Sequence, residues 1–300
     1  MIPLEPAPPS ISGGRRLYLK REDTHELGAF KWRGALPVLE KFKGMGARGV
    51  VTASTGNHGA ATAWAAARLG LEATVFAPES ASKTKLAHLE RLGADVRLGG
   101  ADMDEAKDRG MAEAAERSLP FFEDGAEPAQ YEGYAAIGDE LLDQLDEPPA
   151  AVVVPVGNGA LLGGIATAVL RRSPETLRIG VVSASAPVMA DSWEAGRAVP
   201  SDRSATFADG LAVRVAIPYA VAVLNEVATH MLRVEEPDIA RGVAAFAAGG
   251  IRAEGAAGAG LAALEQLPEL DGPIVVVVTG SNIDDDLLER ACSRPESFRT

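Results

Sequence analysis

The sequence predicts an α/β protein built on mostly parallel sheets. Three observations predict it. Short β-branched runs alternate with Ala-rich stretches of helical length along the chain, several of the runs are apolar at every position, and glycine-rich turns stand where a run gives way to a helix. Such alternation marks a parallel sheet with helical crossovers, and uninterrupted apolar runs mark strands covered on both faces.

Taken in order, the strands are expected at 16–20, 49–53, 73–77, 95–98, 151–156, 179–183 and 273–279, with helices such as 59–69 and 83–92 between them. The stretch 141–149 is acidic and ends in two prolines, which reads as a connection before a new βα series. Repeats and low-complexity tails are not evident.

With 300 residues and 47% hydrophobic content, the chain can bury a substantial core, as one large domain or two modest lobes. A net charge of −13 without a long Lys/Arg cluster argues against a nucleic-acid partner, because a phosphate backbone requires a basic face. The single cysteine, Cys292, cannot form an internal disulfide, and residues 1–12 are proline-rich instead of charged and then apolar. No apolar run approaches the roughly 20 residues of a membrane helix. These features lead us to expect a cytoplasmic protein with no membrane partner.

Glycine-rich turns occur at STGNHG (54–59), GNGALLGG (157–164) and TGSN (279–282). In open parallel sheets such turns line the crevice at the carboxyl ends of the strands, where ligands bind. The turn at Gly157 follows the run AAVVVPV and precedes a helix, so its amides suit a phosphate. It is not a Walker loop, since no Gly-Lys-Ser/Thr follows, and Leu162 stands where the dinucleotide fingerprint requires its third glycine. Alone, a turn of this kind serves equally well to pack a helix tightly on a sheet.

The segment KREDTHELGAFKWRGAL, 20–36, narrows the choice. Its AFKWRGA resembles the lysine motif of the fold-type II pyridoxal phosphate enzymes, the family of serine and threonine dehydratases, serine racemase and threonine synthase. The resemblance extends to ASTGNHG, the loop at Gly157, FADGLAV (207–213), EGAAGAG (254–260) and VVVVTGSN, in the family's order over nearly the whole chain. It implies two open, mostly parallel twisted sheets with flanking helices, as in the tryptophan synthase β-subunit. With the composition, it implies a large cofactor-binding domain from 1–47 and 129–300 and a small domain at 48–128 carrying the substrate-carboxylate loop.

The same resemblance implies the cofactor, pyridoxal 5′-phosphate, and the residues around it. Lys31 would hold the aldehyde as a Schiff base, which only an amine can form and then exchange for the substrate's amino group. Phe30 would stack on one face of the ring, and Gly210 would approach the other, where a side chain would collide. Asn57 would hydrogen-bond the 3′ oxygen, while Ser54, Thr55, Asn57 and His58 would receive the substrate carboxylate. Gly157, Asn158, Gly159, Ala160 and Leu161 would supply amides to the phosphate, in place of the four glycines common in dehydratases. This GN-containing loop is closer to the threonine synthase version. Thr279 would face the ring nitrogen, and a hydroxyl is too weak an acid to keep that nitrogen protonated. A neutral ring favours prompt loss of a β leaving group over transamination.

The activity so implied is β-elimination from a small hydroxy amino acid such as serine or threonine, giving a 2-oxo acid and ammonia, with Lys31 collecting the Cα proton. A threonine synthase-like replacement, suggested by STGN and GNG, stays open. So does racemisation, although the family's second base is a serine where Thr55 stands. A silent amino-acid-binding scaffold is the non-enzyme alternative, and the intact Lys31 argues against it. No metal is expected, since Ser183 falls where the family places a glutamate ligand, and His25, His88 and His230 show no ligand spacing. The resemblance implies a homodimer.

Overall fold

Long apolar runs need cover on both faces, and here they find it in two separate sheets. The computed structural model describes residues 1–299, so Thr300, the last residue of the larger domain expected from sequence, lies outside the described residues. The chain opens with β1 (Leu4–Pro6), α1 (Pro9–Ser12), β2 (Leu17–Arg21), α2 (Trp32–Gly44), β3 (Gly49–Ala53) and α3 (Asn57–Leu69). It continues through β4 (Glu72–Ala77), α4 (Lys83–Arg91), β5 (Asp95–Leu98), α5 (Met103–Glu116), α6 (Pro128–Asp143), β6 (Ala151–Pro155) and α7 (Ala160–Arg172). The rest comprises β7 (Leu177–Ser183), α8 (Val188–Ala195), α9 (Pro218–Val227), β8 (His230–Val234), α10 (Glu236–Ala248), α11 (Gly255–Ala262), β9 (Ile274–Val278) and α12 (Asp285–Ser293).

The chain divides into two compact units, Met1–Ala29 with Tyr134–Thr300, and Phe30–Gly133. In the larger, the strand order is β1-β2-β9-β6-β7-β8, parallel throughout except that β1 closes one edge antiparallel to β2. The central strands β6 (AVVVP) and β9 (IVVVV) are buried at every residue, as their uninterrupted apolar sequence requires. Register sets Ala151 and Leu17 on either side of Ile274. One core cluster gathers Leu19, Val153, Val181 and Val276 from the sheet with Phe246 of α10 and Ala257 of α11. Each of the valine, leucine and phenylalanine side chains taken fully out of water contributes about 1.5–3 kcal/mol. Helices α10 and α11 cross at glycines: a Cβ added to Gly242 would lie 2.1 Å from the Gly258 carbonyl oxygen.

The smaller unit holds the parallel sheet β3-β4-β5, with Val51, Phe76, Ala106, Ala114 and Leu119 as a core cluster. Its compact boundaries fall at Phe30 and Gly133, whereas 48 and 128 were the expected ones. The physical reason is α2. Its Trp32 meets Trp64 of α3 edge-on at 6.0 Å, and its Phe42 meets Phe122 at 6.4 Å, so residues 30–47 pack as part of this unit.

Two further strands, β1 and β8, lie outside the expected set, and α6 runs on to Asp143 where a connection was expected to begin at 141.

Candidate active site

In the smaller unit the site is built around Lys31. The chain turns into α2 at this residue, which has helical angles (φ −59°, ψ −24°) and whose carbonyl accepts the amide of Ala35 at 3.0 Å. The side chain is mostly buried, with Nζ 5.1 Å from the centre of the Phe30 ring. Nζ donates a 2.5 Å hydrogen bond to Oδ2 of Asp124. The other carboxylate oxygen accepts from Gln130 Nε2 at 2.7 Å, and the Gln130 carbonyl is in turn fixed by the amide of Gly125 at 2.7 Å. Burial pushes the Asp124 carboxyl up. The charge of Lys31, the influence of His58 and the hydrogen bonds from Lys31 and Gln130 outweigh burial, holding the group well below the usual carboxylate range.

His58, expected beside the substrate carboxylate, is instead turned into the core of this unit. Its ring meets Phe122 edge-on at 4.5 Å, and Nε2 lies 3.0 Å from Thr52 Oγ1 and 3.2 Å from the Phe122 carbonyl oxygen. Thr52 already donates its hydroxyl proton to that carbonyl at 2.8 Å, so its oxygen accepts and Nε2 carries the hydrogen. Burial holds the imidazole below its ordinary range, against the opposing pull of Asp124 and with a smaller push from Lys31. A neutral ring with its hydrogen on Nε2 leaves a lone pair on Nδ1, 3.6 Å from Asp124 Oδ1.

The turn between β3 and α3 is shaped by Ser54, whose Oγ accepts the Gly56 amide at 3.1 Å while its own amide donates to the Phe76 carbonyl at 3.0 Å. Thr55 and Asn57 are half-buried beside it. The first turn of α3 contains no acidic residue, which leaves a helix N-terminus suited to a carboxylate.

In the larger unit β6 and β9 are parallel neighbours, so the turns that follow them share one edge of the sheet. After β6 the chain passes Gly157 and Asn158 to Gly159, which enters α7 at φ 93°, a left-handed angle open to glycine. Asn158 Oδ1 accepts the Ala160 amide at 3.1 Å, and Leu161 follows in the first turn, which is free of acidic residues. A Cβ on Gly157 would lie 2.2 Å from the Gly210 carbonyl oxygen, so this turn closes only on bare backbone. Gly210 itself sits in a 3₁₀ turn, Asp209–Leu211, where an added Cβ meets only Ala256, at 3.2 Å.

At the end of β9, Thr279 Oγ1 donates to Glu254 Oε1 at 2.7 Å, and the Glu254 amide donates to the Gly280 carbonyl at 2.9 Å. The one hydroxyl proton of Thr279 is thereby committed to Glu254, leaving only lone pairs for another partner. Ser183 donates to Glu236 Oε1 at 2.5 Å, while Thr206 Oγ1 and the Phe207 amide supply Oε2 at 3.1 and 3.0 Å. Both oxygens of that buried carboxylate therefore have protein donors. Among the described residues there is no cluster of three metal-ligating side chains.

Each unit therefore assembles part of the expected set. The smaller brings together Phe30, Lys31 and the loop from Ser54 to His58; the larger brings together the Gly157 turn and Gly210, and holds Thr279 at the neighbouring strand end. These parts suit pyridoxal phosphate chemically: a mostly buried amine, and a glycine turn at an acid-free helix N-terminus able to accept a phosphate. Sequence reasoning missed Asp124 and Gln130, which belong to no motif, and gave no role to Glu254 although it opens the block EGAAGAG.

Comparison with known proteins agrees with this geometry. The profile of the family described as "Pyridoxal-phosphate dependent enzyme" matches residues 2–280. L-threonine ammonia-lyase from Geobacter sulfurreducens is 36% identical over 275 residues, covering 90% of this chain and 68% of that protein. L-threonine ammonia-lyase from Thermotoga maritima is 32% identical over 287 residues, covering 95% of this chain and 71% of that protein. Among solved structures, the processed form of threonine deaminase isoform 2 from Solanum lycopersicum superposes with a TM-score of 0.90 at 30% identity, covering 96% of this chain and 86% of that one. With both the profile and the site in agreement, the chain belongs to the pyridoxal-phosphate dependent enzymes of fold-type II.

Proposed function

We propose that this enzyme is an ammonia-lyase that removes water and ammonia from a small β-hydroxy amino acid, L-threonine or L-serine, leaving a 2-oxo acid. The observation that carries the reading is the mostly buried Lys31 at the mouth of α2, in a chain aligned over nine-tenths of its length with an L-threonine ammonia-lyase. The bound cofactor supplies an aldehyde that captures the substrate's amine and a ring that draws electrons from Cα.

The chain's own residues supply the rest. The amides of Gly157, Asn158, Gly159, Ala160 and Leu161 would hold the phosphate at the start of α7, and Phe30 would offer its ring face to the cofactor. Thr279, braced by Glu254, would serve the ring nitrogen, and Asn57 the 3′ oxygen. Ser54, Thr55 and Asn57 orient the substrate carboxylate at the start of α3. Lys31 takes the Cα proton as general base, at an amine whose position Asp124 fixes. His58 keeps the turn in place from beneath, through Thr52 and the Phe122 carbonyl. The preference for elimination is supported by the relatives, L-threonine ammonia-lyases over at least nine-tenths of this chain.

A panel of amino acids assayed for ammonia and 2-oxo acid tests the reading. Release from threonine or serine is expected, with Lys31→Ala lowering turnover by about 10³-fold or more. Replacement chemistry with no ammonia released, or full activity in the Lys31 variant, would contradict it.

A further inference from the structure

In the larger unit one buried carboxylate gathers donors from separate parts of the chain, and no motif gives it a role. We propose that Glu236 is a positioning residue for the cofactor phosphate: it holds the segment 206–211 so that the Gly210 backbone sets the shape of the Gly157 turn. This rests on the reading that the Gly157 turn receives that phosphate.

Between α8 and α9 the chain runs from 196 to 217 with one short helical element, the 3₁₀ turn Asp209–Leu211. A connection of this length keeps one conformation only where it is tied down. One tie is the isolated antiparallel bridge between Pro200 and Val215. The other is Glu236: Thr206 Oγ1 and the Phe207 amide donate to its Oε2 at 3.1 and 3.0 Å, while Ser183 Oγ, at the end of β7, donates to Oε1 at 2.5 Å. Glu236 is 2% exposed and stands in the first turn of α10, where the helix amides favour a negative group. Both hydroxyls accept as well, Ser183 Oγ from the Ser185 amide at 3.0 Å and Thr206 Oγ1 from the Ala208 amide at 3.1 Å. The carboxylate thereby joins the end of β7 and the start of α10 to the backbone of the connection.

From Phe207 the constraint reaches the phosphate turn within a few residues. The Leu211 amide donates to the Ala208 carbonyl at 2.7 Å, closing the 3₁₀ turn that presents the Gly210 carbonyl. A Cβ on Gly157 would lie 2.2 Å from that oxygen, so the two backbones touch. A Cβ on Gly255, at the start of α11, would lie 2.8 Å from Ala208, so the segment is closely packed there too. In packing this tight, a shift at Phe207 is passed on to Gly157 instead of being absorbed. A turn that holds an anion through its amides depends on where they point, and small displacements spoil that aim. A carboxylate kept for stability alone would leave the affinity for the anion unchanged.

The test uses the full chain and two probes that differ only at the phosphate, pyridoxal 5′-phosphate and pyridoxal. Binding of each is read by absorbance titration, with a thermal melt of the unliganded protein followed alongside. Glu236→Gln keeps the size of the side chain but turns one acceptor into a donor. In this variant the Kd for the phosphate ester is expected to rise by about tenfold, and that for pyridoxal by less than about twofold. Equal weakening of both probes, or an unchanged Kd for the ester, would overturn the proposal whatever the melt shows. Should that variant not fold, Thr206→Val removes the hydroxyl on the connection and leaves Ser183 paired with Glu236. The same selective loss is then expected, at about threefold, and its absence overturns the proposal. A wild-type protein that binds both probes equally well sinks the phosphate-turn reading and the proposal with it. A wild-type preference for the ester that survives intact in the variant overturns the proposal alone.

Discussion

At the scale of single residues, the smaller unit's site is governed by where protons sit. His58 is held neutral in the folded protein, so its folded pKa is depressed below the unfolded value of about 6.5. A group of this sign contributes stability above its unfolded pKa and loses it as pH falls, because the unfolded chain then binds the extra proton. Stability is therefore expected to decline from about pH 6.5 toward pH 5, by up to about 1.4 kcal/mol per unit for one such group. His88 shifts in the same direction, through burial and then Arg91, but it is less enclosed. Asp124 is also depressed, and its contribution fades only below about pH 4, the unfolded carboxylate value. Urea midpoints at several pH values check the assignment: His58→Gln should flatten most of the decline between pH 6.5 and 5, and an unchanged slope would contradict it. Residue identity singled out Lys31, Asn57 and Thr279 as candidates in the sequence, because each sits in a motif with its own chemistry. Asp124 was not legible, since its pairing with Lys31 depends on folding that brings together side chains 93 residues apart.

At the scale of elements, hydrophobic runs and glycine turns gave most of the strands, with β3 and β5 at the residues expected and β4, β6, β7 and β9 within a residue or two. The central β6 and β9 are buried at every residue, so their sequences, AVVVP and IVVVV, carry no polar interruption. The strands that escaped notice are edges. β1 is three residues, LEP, paired with β2 alone, and β8 reads HMLRV with polar positions that an edge tolerates. The start of the connection was misplaced because Leu141 is buried and carries α6 onward to Asp143. Helix crossings were hidden for another reason: nothing in EGAAGAG states which glycine meets a neighbour. The structure assigns Gly258 to Gly242 across α10 and α11, where a Cβ at either position strikes backbone at 2.1 or 2.7 Å. Gly242→Ala is thus expected to destabilise by about 1–3 kcal/mol through overpacking. A thermal melt several degrees lower is the expected result, and an unchanged melting temperature would show that the helices separate at little cost.

At the scale of the whole molecule, the resemblance blocks span residues 20–282 and the family profile 2–280, so function was legible because its marks are spread along the chain. The net charge of −13 suits a protein kept in solution, and among the described residues no helix is long and apolar enough to cross a membrane. Which amino acid is preferred was not legible, because a pocket wall is assembled from scattered loops and a methyl group shifts selectivity by only about 1–3 kcal/mol. The claim on which the rest depends is that Lys31 bonds covalently to the cofactor. Borohydride reduction of the purified protein, followed by peptide mapping, tests it most directly: a pyridoxyl group on the peptide containing Lys31 is the predicted result, and a pyridoxyl group elsewhere, or none on a cofactor-loaded protein, would contradict the account.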